Sequence, residues 1–225
     1  MGDDFIDENL DLVTFDTPMQ VTLDIPQSEL EKLIAATVIE QRISLYEVSW
    51  EQYEMMLQMR GDRSSPRLSY CQGHLELMTT SSEHEINKKL IARLLELYAL
   101  EKNLDLYSCG SVTLRNAFQR KGLEPDESYC LGGRKDIPDL AIEVIITSGG
   151  IDKLAIYQGL GVAEVWFWQD GNFTVYHLRT NGYELIKISE LLPNLDLNLL
   201  TTFVTPASEP QALREFRRAI SVAES

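Results

Sequence analysis

Apolar residues recur at helical spacing in five stretches of the chain. The most regular stretch starts at Ser82, where a wide apolar stripe with a period of 3.6 residues predicts a long amphipathic helix. Ser49 and Gln52 have the spacing of a capping box, and they predict a shorter helix that ends near Gly61.

The other three helical patterns lie towards the two ends of the chain. Residues 26–41 and 151–160 each carry apolar residues on one side, which predicts a helix in each range. Ser208 and Gln211 repeat the capping-box spacing and predict a helix at the carboxyl end.

Between the helical patterns lie short runs that are rich in apolar and β-branched residues. Asp170-Gly171 and Asn181-Gly182 are strong hairpin signals, because two-residue turns need positive φ angles. The predicted strands fall within residues 67–78, 104–108, 111–115, 124–131, 137–147, 163–168, 172–178 and 182–188. This order predicts an α/β fold in which a mixed central β-sheet is flanked by helices and followed by a β-meander and terminal helices.

No internal repeat or long linker divides the chain, which has 225 residues. We predict an acidic extension with a helix over residues 1–45, a core domain over residues 46–200, and a helical segment of the same domain over residues 201–225.

The formal net charge of −15 opposes non-specific attraction to nucleic acid. Residues 1–40 hold ten acidic residues and one basic residue, so the extension carries most of that charge. Residues 81–135 hold nine basic and eight acidic residues. A local basic surface is therefore compatible with the acidic total, but a mixed solvated surface is the preferred interpretation.

Targeting and redox signals are absent from the sequence. No apolar run approaches the roughly 20 residues that cross a bilayer, and the amino terminus is acidic where a signal peptide is basic. The three cysteines, Cys71, Cys109 and Cys130, have no metal-ligand spacing. We therefore expect a cytoplasmic protein without a membrane partner.

Asp126 and Glu143 are the first candidates for chemistry. If their strands form a hairpin closed by residues 132–137, the two carboxylates face each other, with Cβ atoms about 4.5 to 5.5 Å apart. Two carboxylates 4 Å apart repel by about 4 kcal/mol at an effective dielectric constant of 20. A hard cation such as Mg²⁺ would relieve this repulsion, and Lys153 would add positive charge and activate a water molecule.

A second Pro-Asp dipeptide, Pro138-Asp139, competes for the same interpretation. Asp139 precedes Glu143 by four residues on one strand, which separates them by roughly 13 Å. We therefore interpret Asp139 as a residue at the strand entry, outside the site.

At these residues the sequence resembles the PD-(D/E)xK nuclease superfamily and, more closely, the bacterial Uma-two family of restriction endonuclease-like proteins. The resemblance spans about residues 47 to 200, and its most specific part is the segment from Ile137 to Trp168. It implies a restriction-endonuclease-like core and hydrolysis of DNA phosphodiester bonds that depends on Mg²⁺, with Mn²⁺ as a substitute. By motif, Asp126 and Glu143 would bind the metal, together with the backbone carbonyl of Val144.

The chain departs from the superfamily motif at Ile145, where the motif has a lysine. The close family indicates Lys153 as the replacement. Nucleases of the superfamily often add an acid from an early helix, which would be Glu83 or Glu85, and the close family has a histidine at the position of His84. A structural interpretation competes for Glu85, because Ser82 and Glu85 have the spacing of a capping box.

Two further functions stay open at this point. A binding or assembly module that retains the nuclease scaffold would explain the acidic charge, and an acidic body also suits a small phosphate ester. By analogy with restriction enzymes that cut two strands, a homodimer is also possible.

Overall fold

The structure is a computed structural model that describes residues 40–147 and 150–222. Residues 1–39 lie outside the described residues, and so does nearly all of the helix predicted for residues 26–41. Gln41, the last residue of that prediction, lies in a strand, so the prediction is wrong at this residue. The domain boundaries stay a prediction, with the added fact that residues 41–45 pair with a strand of the core.

The described ranges contain eleven strands and five α-helices. The strands are β1 (Gln41–Leu45), β2 (Arg67–Cys71), β3 (His74–Thr79), β4 (Leu106–Ser108), β5 (Leu114–Asn116), β6 (Lys121–Leu123), β7 (Glu127–Leu131), β8 (Leu140–Ile145), β9 (Glu164–Gln169), β10 (Asn172–Arg179) and β11 (Gly182–Ile186). The helices are α1 (Trp50–Arg60), α2 (Ser82–Glu101), α3 (Lys153–Leu160), α4 (Leu197–Thr202) and α5 (Glu209–Val222), and a 3-10 turn (Pro206–Ser208) precedes α5.

The larger sheet has six strands in the order β11-β10-β9-β8-β7-β4. Its pairs are antiparallel except β8 and β9, which are parallel. Parallel neighbours need a crossover connection, and α3 supplies it. The mixed sheet, the flanking helices and the meander of β9, β10 and β11 confirm the predicted fold class.

A second sheet has five antiparallel strands in the order β1-β3-β2-β6-β5. The sequence did not predict this second sheet. The strands of the second sheet are joined by the β2–β6 pairing, which sets Tyr70 opposite Gly122. No local pattern reveals a pairing between residues so far apart in the chain.

Two of the predicted tight turns form as expected, and one is displaced. Asp170 and Gly171 have φ angles of 49° and 75° and connect β9 to β10 as predicted. Arg179 pairs with Gly182, so the next two-residue turn is formed by Thr180 and Asn181. The prediction of an Asn181-Gly182 turn is therefore wrong by one residue. The β2–β3 hairpin around residues 72–73 is confirmed.

Of the three predicted capping boxes, one is confirmed and two are wrong. The Ser49 and Gln52 capping box forms as predicted. At α2 the extended residue is Ser81, whose hydroxyl accepts a hydrogen bond from the backbone of His84, so the Ser82 and Glu85 capping box is wrong.

The third predicted capping box, Ser208 with Gln211, is also wrong. Ser208 lies in the 3-10 turn, and its hydroxyl donates to Thr205. Helix α5 follows directly and still places Phe216 and Ile220 in the core.

The core places α3 at the junction of the two sheets. On one side of the larger sheet, α2 and α5 bury their apolar faces against strands β7, β8 and β9. A separate buried cluster joins both sheets to α3 and includes Leu114, Leu123, Ala141, Ile156, Tyr157 and Val165. This packing holds α3 in place, so that its side chains reach the end of β8.

No helix within the described ranges is long and apolar enough to cross a membrane.

Candidate active site

Asp126 and Glu143 come together as the predicted hairpin requires. Strand β7 begins directly after Asp126, and its register with β8 sets Glu127 opposite Ile142. The same register, extended by one residue, sets Asp126 opposite Glu143. The backbone N–H of Val144 donates to Oδ2 of Asp126 across 2.7 Å, which fixes this carboxylate against the edge of β8.

Asp126 is almost completely buried, at 1% exposure. Its Oδ2 lies 3.1 Å from Nε2 of His84, and its Oδ1 lies 3.0 Å from Nη1 of Arg67. Burial alone raises the pKa of Asp126, but the hydrogen bond from His84 and the charges of Lys153, His84 and Arg67 outweigh it and hold the pKa well below its usual range. Asp126 is therefore a carboxylate at neutral pH.

One oxygen of this carboxylate has no hydrogen bond within the part of the chain that the structure describes. Nη1 of Arg67 is close to Oδ1 of Asp126 but donates its hydrogen bond to the carbonyl of Pro125, across 2.8 Å. Oδ1 therefore has an ion-pair neighbour and no hydrogen-bond donor. A buried anionic oxygen of this kind is available to a cation.

Glu143 is fully buried, and both of its oxygens have donors on α3. Lys153 donates to Oε2 across 2.6 Å, and Tyr157 donates to Oε1 across 2.5 Å. Burial raises the pKa of Glu143, although the charge of Lys153 opposes this rise. Burial lowers the pKa of Lys153, but the neighbouring negative charges of Glu143 and Asp126 raise it by more than burial lowers it. The pKa of Lys153 is therefore raised overall, and this lysine stays protonated.

Lys153 therefore reaches Glu143 from α3 and not from β8. Ile145, which has the strand position two residues after Glu143, is half-buried and brings no charge. Asp152 is the N-cap of α3 and accepts a hydrogen bond from Ala155, so the helix starts at Lys153 and directs this residue towards β8.

The start of α3 is also held from the second sheet. The backbone N–H of Ile151 donates to Oε2 of Glu76, and Oε1 of Glu76 lies 3.2 Å from Nη1 of Arg42. Gly150 has a φ angle of 106°, and a Cβ atom there would collide with the Glu76 carboxylate. Arg42 also contacts Glu40 at 2.7 Å, which extends a network of buried charges behind the site.

The acid predicted from the early helix lies at the rim of the site. Glu85 is half-buried, and its Oε1 lies 3.4 Å from Nδ1 of His84 while its Oε2 lies 2.5 Å from Nζ of Lys88. The close contact with His84 lowers the pKa of Glu85 to about 2. Glu83, the alternative, is exposed to solvent. Glu85 thus touches the site through His84, which itself contacts Asp126.

Asp139 lies outside the site, as predicted. It directly precedes β8, accepts a hydrogen bond from the backbone of Leu131 across 2.8 Å, and pairs with Lys135 at 2.6 Å. These contacts close the β7–β8 hairpin, so this second Pro-Asp dipeptide has a structural explanation.

Sequence reasoning missed three residues around the site: Arg67 and Tyr157 contact the carboxylates, and Glu76 holds the start of α3. Arg67 and Glu76 come from the second sheet, whose position no local pattern gives. Tyr157 could have been predicted from the sequence, because it lies four residues after Lys153 and therefore on the same face of α3.

The class of this protein, which is restriction-endonuclease-like, follows from a family model that matches most of the chain. The chain belongs to the Uma2 family, whose model carries the description "Putative restriction endonuclease" and matches residues 50–208. Membership of this family supports a nuclease function.

One solved structure confirms the fold. It is the crystal structure of a putative nuclease belonging to DUF820 from Anabaena variabilis ATCC 29413, with a TM-score of 0.50 and 11% sequence identity. The similarity covers 70% of this chain and 99% of that chain. No curated protein matches the chain.

Proposed function

We propose that this protein is a divalent-metal-dependent endonuclease that hydrolyses phosphodiester bonds of DNA. The observation that carries the proposal is the convergence of Asp126 and Glu143, two buried carboxylates, with the ammonium group of Lys153. Family membership supports a nuclease, and the charge arrangement supports a hydrolytic site.

The oxygen atoms at the site fit Mg²⁺, with Mn²⁺ as a substitute. Asp126, Glu143 and the backbone carbonyl of Val144 would hold the ion, and carboxylate and carbonyl oxygens are the ligands that Mg²⁺ prefers. Oδ1 of Asp126 is the observation that supports the fit, since it is buried without a hydrogen-bond donor. Within the described ranges, no group of three or more His, Cys, Asp and Glu side chains forms a ligand set, so the backbone carbonyl is needed.

A bound Mg²⁺ would lower the pKa of a water molecule and neutralise charge on the scissile phosphate. The chain's own residues prepare the site for this chemistry. Val144 and His84 orient Asp126, while Lys153 and Tyr157 orient Glu143. Lys153 keeps its positive charge next to the place where an anionic phosphate would bind. Glu85 is the acid that we propose to complete the site from its rim.

The two Pro-Asp dipeptides provide a matched test. Asp126→Asn should abolish the cleavage of plasmid DNA in Mg²⁺ or Mn²⁺, because it removes a carboxylate from the proposed metal site. Asp139→Asn should cleave like the wild type, because the amide oxygen still accepts the hydrogen bond from Leu131. Equal cleavage by both folded variants would contradict the proposal.

The same assays distinguish the alternative functions. A wild-type protein that binds no Mn²⁺ and cuts no DNA would be a binding or assembly module on a nuclease scaffold. A protein that hydrolyses p-nitrophenyl phosphate but not DNA would be a small phosphate-ester hydrolase. A homodimer and a cytoplasmic location stay predictions, and sedimentation of the full chain tests the first.

A further inference from the structure

The turn between β5 and β6, which we call the hairpin tip (residues 117–120), exposes a large aromatic side chain. Phe118 is 96% exposed, whereas the next most exposed large hydrophobic residue in the described ranges, Leu100, is 73% exposed. Burying a phenylalanine stabilises a protein by about 1.5 to 3 kcal/mol. The exposed side chain of Phe118 does not contribute this stabilisation to the fold.

The hairpin tip is an ordered turn. Oδ1 of Asn116 accepts a hydrogen bond from the backbone of Gln119 across 3.0 Å, and the backbone of Arg120 donates to the carbonyl of Ala117 across 3.2 Å. The carbonyl of Arg120 in turn accepts from Gln72, at the β2–β3 turn. Phe118 is therefore presented to solvent by a turn that is tied at both ends.

The sequence of the hairpin carries basic charges only, whereas the whole chain is acidic. Between Asp105 and Glu124 the sequence has no acidic residue, and it has three basic ones, Arg115, Arg120 and Lys121. Arg115 lies 2.7 Å from Glu54 and is still half exposed, and Arg120 is exposed. Glu51 of α1 lies near Arg120. The hairpin therefore presents the exposed guanidinium groups of Arg115 and Arg120, which are able to contact the phosphates of a polyanion.

The hairpin is attached to the helix that carries Lys153. Lys121 donates to the carbonyl of Ala155 across 2.7 Å, and Asn116 donates to the carbonyl of Gly159 across 3.2 Å. Six residues of α3 separate Lys153 from Gly159, a rise of about 9 Å at 1.5 Å per residue. This rise is less than the length of three base pairs of B-DNA, which advance about 3.4 Å each, so the base of the hairpin is attached to α3 within a few base pairs' length of Lys153.

We propose that the hairpin tip binds the DNA duplex beside the cleavage site, with Phe118 inserted between neighbouring bases and Arg120 on the phosphate backbone. The inference rests on the proposed function. An apolar side chain inserted in this way partly unstacks a base step, and neighbouring basic side chains bind the DNA strands beside it. The hairpin would thus bind and deform DNA without contributing to the hydrolytic step.

Binding to a short fluorescein-labelled duplex in EDTA tests the inference without cleavage. Phe118→Ala should weaken the Kd about tenfold, within the range for the loss of one base-stacking aromatic, while Phe118→Trp should keep most of the affinity. Leu100→Ala removes an exposed apolar residue elsewhere and should leave the Kd unchanged. Arg120→Ala should lower the slope of log Kd against log salt concentration by about one.

A duplex that contains 2-aminopurine reports the insertion itself. Wild-type protein should raise the fluorescence of the unstacked base, and Phe118→Ala should not. If the wild type cuts DNA but Phe118→Ala binds, unstacks and cuts equally well, the hairpin inference fails while the proposed function stands. If the wild type neither binds nor cuts DNA, both fail. A change in the oligomeric state of Phe118→Ala without DNA would instead assign Phe118 to self-association and overturn the inference.

Discussion

Nζ of Lys153 lies 2.6 Å from Oε2 of Glu143, and both side chains are removed from solvent almost completely. A second lysine–carboxylate pair of the same length, Lys135 with Asp139, lies at the surface. The two pairs have the same chemistry and differ in burial, so they separate the energetics of the site from those of an ordinary ion pair.

Lys153→Met should lower the free energy of unfolding of the metal-free protein by about 3 to 5 kcal/mol, because it leaves Glu143 buried without its cation. Lys135→Met should lower it by no more than about 1 kcal/mol, because water solvates the remaining Asp139. Urea denaturation in EDTA measures both values. Similar losses in the two variants would show that Lys153 and Glu143 do not form a buried pair.

Tyr157→Phe removes one hydroxyl group and leaves Oε1 of Glu143 without a donor. We expect a loss of about 1 to 3 kcal/mol in the free energy of unfolding, together with slower DNA cleavage. The control is Tyr129→Phe, which removes a hydroxyl that donates to the exposed Glu96. Water can replace that donor, so a smaller loss is expected there. If Tyr157→Phe is as stable and active as the wild type, Tyr157 does not hold Glu143.

His84 should make the stability of the metal-free protein depend on pH. Burial lowers its pKa, but the hydrogen bond to Asp126 and the contact with Glu85 outweigh burial and raise the pKa from 6.5 to about 9. A raised pKa contributes stability that is complete below pH 6.5 and is lost as the pH rises through about 9. The loss should be on the order of 3 kcal/mol, since one pKa unit corresponds to about 1.4 kcal/mol.

The variant His84→Asn isolates this contribution. Its free energy of unfolding should differ most from that of the wild type below pH 6.5 and least above pH 9, with all measurements made in EDTA. A difference that stays constant over this range would mean that His84 does not carry the proton.

Glu164 anchors the loop after β11 by accepting hydrogen bonds and should matter for stability alone. This fully buried carboxylate faces five donors, which are Trp166 Nε1, His177 Nδ1, Ser189 Oγ and the backbone N–H groups of Glu190 and Leu191. Glu164→Ala should cost at least about 3 kcal/mol, because buried donors lose their acceptor. Glu184→Ala, which breaks an exposed pair with Arg179, should cost no more than about 1 kcal/mol in the same thermal or urea melt.

Local patterns were sufficient where the structure depends on local geometry. The Ser49 and Gln52 capping box forms as predicted because its partners lie within one helical turn. The register of Asp126 against Glu143 followed from the length of the β7–β8 loop. Where two serines are adjacent, as at Ser81 and Ser82, the pattern could not decide between them, because only the backbone angles show which residue is the cap.

The surroundings of the carboxylates depended on contacts that a local pattern does not encode. Arg67 reaches Asp126 from β2, and Glu76 holds the start of α3 from β3. Both contacts exist because a second sheet packs against α3, and that sheet forms through pairings between distant segments. The candidate ligands and Lys153 were therefore predictable from the sequence, whereas Arg67 and Glu76 were not.

The most direct test of the account is a calorimetric titration of the EDTA-stripped protein with Mn²⁺. We predict that the wild type and Asp139→Asn bind the ion, and that Glu143→Gln, folded by circular dichroism, does not. Failure of the wild type to bind Mn²⁺ at millimolar concentration, or undiminished binding by Glu143→Gln, would contradict a metal site at Asp126 and Glu143.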